Sequence, residues 1–165
     1  MSKIIIRDIL AKDNQALIEL VHATLHEFGA IGDGYAMADA ELLDMFSNYQ
    51  SQDRHYYVVE KDGCIQGGAG LAPLDDTDDQ DNSGICELRK MYFSSTLRGL
   101  GVGKQALDKC IQQALDMGYH SIYLETINEM QVAQKLYKSR GFKYIKQRMG
   151  KTGHHACGVF MLMKL

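Results

Sequence analysis

The chain has 165 residues, 45% of them hydrophobic and 24% charged, and a formal net charge of −3. This is the composition of an ordinary globular protein with one core, and the scattered basic residues argue against a nucleic-acid or anionic-membrane partner. The apolar run 4–6 is too short for a leader or a membrane span and meets Arg7 and Asp8 at once, so a cytoplasmic location is expected.

In chain order, residues 4–9 read as a strand and 13–28 as a helix with Leu17, Leu20, Val21 and Leu25 on one face. The glycine-rich stretch 29–34 breaks that helix. A second one is expected over 37–49, with Ala38, Leu42, Leu43 and Phe46 turned inward. His22 and His26 stand four apart, a spacing that suits a metal, but no third ligand or HExxH order accompanies them, so an exposed helix face and no metal are expected. Residues 56–60 and 64–71 read as a hairpin around Lys61-Asp62-Gly63. The tract 74–84 holds five aspartates and reads as a solvated loop before a strand over 86–93.

Next comes Arg98-Gly99-Leu100-Gly101-Val102-Gly103-Lys104. From Val102 the apolar positions Ala106, Leu107, Cys110, Ile111, Ala114 and Leu115 keep helical spacing until Gly118. Three glycines between a strand and a helix let the backbone approach a ligand and leave amides free at a helix N-terminus, which suits phosphate. Residues 122–127 then read as a strand, 130–141 as a helix, and 144–149 and 156–165 as the last two strands. The loop that carries His154 and His155 is expected at the surface, with entry of the two histidines into a substrate site as the other reading. Cys64, Cys86, Cys110 and Cys157 form no CxxC pair and read as reduced core thiols.

The glycine loop is not a P-loop, because Arg98 stands five before Gly103 and Gln105 replaces the Ser or Thr. Nor does it complete the dinucleotide fingerprint, because Lys104 takes the third glycine's place. Arg98-x-x-Gly101-x-Gly103 instead resembles the acetyl-CoA pyrophosphate loop of the GNAT superfamily of N-acetyltransferases. Ala133-x-x-Leu136-Tyr137-x-x-x-Gly141-Phe142 resembles the helix that flanks the coenzyme's thiol end in the same family.

The resemblance implies one α/β (α+β) domain over 1–165, built on a mixed, mostly antiparallel twisted sheet of about seven strands flanked by about four helices. It implies acetyl-CoA as acyl donor, contacted by Met91, Tyr92, Phe93, Arg98, Gly99, Leu100, Gly101, Val102, Gly103, Lys104, Met130 and Ala133. Met130 stands where many members carry Asn, so no side-chain hydrogen bond to the coenzyme arm is expected there. Tyr137 matches the general acid for the departing thiolate. Glu87 matches the strand glutamate that some members use as base; Glu125 and water are the alternatives, and a solvent-facing or ion-paired carboxylate beside Arg89 and Lys90 is the other reading of Glu87. Main-chain amides near Met91 and Phe93 match the family's oxyanion donors. Phe28, Ile31, Tyr35 and Glu125 are the residues expected to shape the acceptor pocket.

An alkyl amine has a pKa of about 10.4, so roughly one molecule in 10³ carries a free lone pair at neutral pH, and a base helps. The expected reaction is direct attack of a small primary amine or amino acid on acetyl-CoA, without a covalent enzyme intermediate. A protein N-acetyltransferase, a non-catalytic acyl-CoA sensor and a nucleotide-binding module of another class remain alternatives, and a homodimer stays open.

Overall fold

The computed structural model describes residues 1–74 and 83–165. Short runs of alternating or continuous apolar residues form β1 (Ile4–Asp8), β2 (His55–Lys61), β3 (Cys64–Pro73), β4 (Ile85–Phe93), β5 (Ser121–Thr126), β6 (Lys143–Ile145) and β7 (Val159–Lys164). The seven join one sheet in the order β1-β2-β3-β4-β5-β7-β6. Every neighbouring pair is antiparallel except β4–β5, which is parallel. The α-helices are α1 (Asn14–Glu27), α2 (Met45–Asn48), α3 (Val102–Asp116) and α4 (Gln131–Ser139). This is the fold class that the sequence implies.

Side chains of β2 alternate between two cores, as the period of a strand requires. Tyr56 and Val58 face a core closed by Leu17, Val21 and Leu25 of α1 together with Leu42 and Met45, while Tyr57 faces the other side. There α3 and α4 cover the sheet, with Ala106, Leu107, Cys110 and Tyr137 packed on Leu71, Ile122, Leu124 and Met161. Among the described residues no helix is long and apolar enough to cross a membrane.

Two irregularities in β4 position the site. Gly68 pairs with Tyr92 and Gly70 with Arg89, so three residues of β4 span what two span on β3, a β-bulge. Its extra residue, Lys90, takes φ = 47°, a left-handed conformation that costs a non-glycine residue of order 1 kcal/mol or more. The surroundings hold it there. The Tyr56 hydroxyl donates to the Lys90 carbonyl (2.7 Å), and the Lys90 side chain, 0% exposed, ends on Asp39 (2.6 Å) and Glu41. Tyr56 reaches across the sheet because position 70 is glycine: a Cβ there would lie 2.2 Å from its ring and 2.7 Å from the His55 carbonyl.

The second irregularity is a fork. Parallel pairing of β4 with β5 runs only from Ile85↔Ser121 to Glu87↔Tyr123. Beyond it, residues 88–93 of β4 and 124–126 of β5 part, while β5 stays zipped to β7 through Thr126↔Val159.

Several expectations need correction. The helix expected over 37–49 is broken into 3₁₀ turns at Ala36–Ala38 and Ala40–Asp44 and the single-turn α2. Asp39 between the turns is extended (φ −67°, ψ 126°) because its carboxylate is drawn to Lys90 and His154. The break turns Leu43, expected inward, out to solvent at 76% exposure. The strand expected over 144–149 stops at Ile145, and β7 begins at Val159, because Arg148 leaves the sheet to bond the carbonyls of His154 and Cys157 (2.8 Å each). Cys86 and Cys110 are buried free thiols as expected, but Cys64, the first residue of β3, is exposed. His22 and His26 are exposed on α1. The five aspartates of the 74–84 tract lie outside the described residues.

Candidate active site

The turn between β4 and α3 is shaped by its glycines. Gly101, the residue that opens α3, has φ = 74°, which a side chain would strain. The first helical bond runs from the Gln105 N–H to the Gly101 carbonyl (3.2 Å), so the amides of residues 102–104 have no acceptor within the helix. They stand at the end of a long groove lined by Phe93, Arg98, Gly99, Gly101, Gly103 and Lys104. Ala133 and Leu136 of α4 form its other wall. Leu100, 52% exposed, and the buried Val102 turn their side chains away from it, which leaves only their backbone for a ligand.

A second, smaller cavity lies inside the fork, between α1, the 30–36 segment, β4, β5, α4 and the 154–157 loop. Four residues line both spaces: Met91, Tyr92, Met130 and Tyr137. The groove and the inner cavity therefore meet at the bulge of β4 and the first turns of α4. Tyr137 is buried there with its ring tilted against Phe142 (5.8 Å between centroids), and burial pushes its hydroxyl pKa well above the usual tyrosine value.

The inner cavity has a polar wall assembled from four parts of the chain. Glu87 is 2% exposed and accepts from Arg89 Nε (2.7 Å), so it is a buried, ion-paired carboxylate that also lines the cavity. Burial pushes its pKa up against the pull of the Arg89 charge. Arg89 also reaches Glu41 (3.3 Å), which accepts from the Tyr49 hydroxyl (3.0 Å) and from Lys90. Burial opposes the charge on Glu41, but Lys90 and Arg89 outweigh it and its pKa lies below the usual range.

Deeper in, Glu125 accepts from the Tyr123 hydroxyl (2.7 Å) and from Thr152 Oγ1 (2.9 Å), with Arg148 Nε 3.2 Å away. His154 Nε2 stands 2.8 and 3.0 Å from the two Asp39 oxygens. Burial disfavours the imidazolium, but the Asp39 hydrogen bond and charge prevail and raise the His154 pKa. The same contact keeps Asp39 below its usual value in spite of its own burial. Glu125, His154 and Cys157 bring one ligand-type atom each to within 4.8 Å of one another. The Arg148 guanidinium beside the carboxylate opposes a dication there, and the cluster is part of the polar wall.

Of the residues nominated from the sequence, Tyr35, Glu87 and Glu125 line the inner cavity. Phe28 does not. It lines the groove instead, beneath Arg98, whose guanidinium carbon lies 5.5 Å from its ring centre. Ile31 is 55% exposed and touches neither space, because the tight turn after α1 carries it outward. His154, expected at the surface with entry into the substrate site as the other reading, is a cavity residue, and so is Cys157, which the sequence marks only as a core thiol. Nothing local marks Asp39 and His154, which are 115 residues apart.

A groove ending on free helix amides and a polar inner cavity, meeting at a sheet fork, are the architecture of a two-substrate transferase. The model of the Acetyltransferase (GNAT) family matches residues 15–142. The uncharacterized N-acetyltransferase YjgM of Escherichia coli K12 is 37% identical over 162 residues, 98% of this chain and 95% of that one. A GNAT-family acetyltransferase from Staphylococcus aureus Mu50 superposes with a TM-score of 0.86 and 25% identity, covering 99% of each chain. YncA of Salmonella typhimurium, solved with its cofactor acetyl-CoA, shares the fold at a TM-score of 0.75 and 22% identity, over 99% of this chain and 94% of its own. The chain belongs to the GNAT acetyltransferase family and is an acyltransferase.

Proposed function

We propose that this single-domain enzyme moves the acetyl group of acetyl-CoA to the primary amine of a small molecule or amino acid by direct attack. The observation that carries the reading is the set of four residues shared by the groove and the inner cavity, since a thioester lying in the groove would present its carbonyl to whatever fills the cavity. The cavity is walled by segments from across the chain, α1, β4, β5, α4 and the 154–157 loop among them, which favours a small acceptor over a protein lysine.

Each step has a residue for it. The amides of residues 102–104 with Arg98 and Lys104 take the pyrophosphate. Met91, Tyr92, Phe93, Met130 and Ala133 line the coenzyme arm, and main-chain N–H groups near Met91 and Phe93, on the opened edge of β4, stabilise the oxyanion. Tyr137, kept protonated by burial, gives its proton to the departing thiolate. Cys86 and Cys157 are not nucleophiles in this scheme, because burial pushes both thiols up to about 12.

Thermal unfolding with acetyl-CoA, CoA, ATP and NAD in parallel tests the cofactor, since a ligand at a hundred times its Kd adds about 2.7 kcal/mol. A shift with the CoA species alone is expected, followed by thiol release on a panel of small amines. A larger shift with ATP or NAD overturns the groove assignment.

A further inference from the structure

We propose that His154, oriented by Asp39, is the group that takes the proton from the acceptor amine, in the role for which the sequence nominates Glu87. The inference rests on the amine-acetylation reading above. His154 lines the same inner cavity as Tyr137, and its loop is a built structure. Arg148 Nη2 donates to the carbonyls of both His154 and Cys157 (2.8 Å each). The His154 N–H donates to Thr152 Oγ1 (3.2 Å), which in turn donates to Glu125 (2.9 Å).

The ring is fixed as firmly as the loop. Nε2 meets both oxygens of Asp39, and Asp39 is tied from behind by Lys90 Nζ (2.6 Å), whose own place is set by the bulge. A carboxylate on Nε2 holds the proton there and leaves the lone pair on Nδ1. Among the described residues no protein group hydrogen-bonds that second nitrogen.

The rival carboxylates are already committed. Glu87 holds Arg89 at 2.7 Å, and protonating it would break a buried ion pair. Glu125 serves Tyr123, Thr152 and the neighbouring Arg148. The charged and titratable groups around His154 are Asp39, Lys90, Glu87, Glu125, Cys157 and Arg148.

The step balances as follows. A proton passes from the acceptor's ammonium to Nδ1, and the freed lone pair forms the C–N bond. The C–S bond breaks with its electron pair on the coenzyme sulfur, which takes a proton from Tyr137. The second nitrogen proton, lost as the amide forms, restores Tyr137, and His154 releases its proton to solvent.

The test is the pH profile of kcat at saturating acetyl-CoA for the wild-type chain, His154→Gln, Asp39→Asn and Glu87→Gln, with the acetyl-CoA Kd of each measured by calorimetry. His154→Gln is expected to lower kcat at neutral pH about a hundredfold or more, to abolish the acidic limb and to regain rate only as pH nears the amine's own pKa, with Kd within about twofold. Asp39→Asn is expected to lower kcat less and move the acidic limb to lower pH. Glu87→Gln is expected to keep that limb. An unchanged limb in His154→Gln overturns the assignment; if that variant does not fold, an unmoved limb in Asp39→Asn does so. A wild-type chain that binds acetyl-CoA but acetylates no amine overturns the parent reading, and this one with it.

Discussion

Glu27, the last residue of α1, forms a two-point ion pair with Arg98 of the glycine turn: Nη2 lies 2.7 Å from Oε2, and Nη1 meets Oε1. Arg98 Nη2 also donates to the Phe93 carbonyl (3.1 Å). A carboxylate therefore occupies the cation that the sequence assigns to pyrophosphate, and the ligand has to share or displace it.

Both partners are more than a third exposed, so the pair stabilises the fold by about 1 kcal/mol at most. Glu27→Gln is expected to tighten acetyl-CoA a few-fold at low salt, with the gain shrinking as salt rises. Arg98→Ala is expected to weaken it about tenfold. Calorimetric titration at two ionic strengths reads both, and an unchanged Kd in both variants removes Arg98 from the phosphate site.

Tyr137→Phe keeps the ring that packs on Phe142 and removes only the hydroxyl. The chemical step is expected to slow at least about tenfold in single-turnover kinetics, with acetyl-CoA affinity similar. A wild-type rate would leave Tyr137 as a packing residue alone.

The Asp39–His154 contact makes stability depend on pH in a definite direction. His154 is raised above its ordinary 6.5, so its contribution is full below that value and fades as pH climbs through the folded-state pKa. Asp39 is lowered below its ordinary 3.8, so its contribution is present above that value and lost in stronger acid. The Tm gap between wild type and His154→Gln should therefore be widest between roughly pH 4 and 6.5 and narrow by pH 9. A gap that does not vary with pH would show the contact to be electrostatically idle.

Lys90 is the keystone of the bulge, its ammonium buried against Asp39 and Glu41. Lys90→Met would keep the chain length and leave two partly buried carboxylates short of a cation. A loss of about 3 kcal/mol is expected in urea denaturation. A loss under about 1 kcal/mol would mean that Arg89 and His154 suffice to hold them.

Much of the enzyme is legible locally. The strand, glycine turn and helix over 85–116 follow from periodicity and from the glycines between them, and the helix that carries Tyr137 follows from apolar positions at helical spacing. These signals lie within one or two turns of chain, where the physics is that of the backbone itself. The helix expected over 37–49 fails because a distant lysine and a distant histidine compete for Asp39, 51 and 115 residues away, and win over local propensity.

The acceptor side is the part that only the tertiary structure decides. Whether Glu87 is a free carboxylate or an ion pair, whether Phe28 faces the inner cavity or the groove, and whether His154 is a surface or a cavity residue are decided by contacts between elements far apart in the chain. Where β4 parts from β5 it also carries a bulge, held in place by Tyr56 and two carboxylates from other elements. The sequence by itself determines the glycine turn and the groove it ends, because that geometry is set by the backbone of a local turn. The inner cavity is determined by folding, because burial and charge pairing among residues far apart in the chain choose which side chains line it.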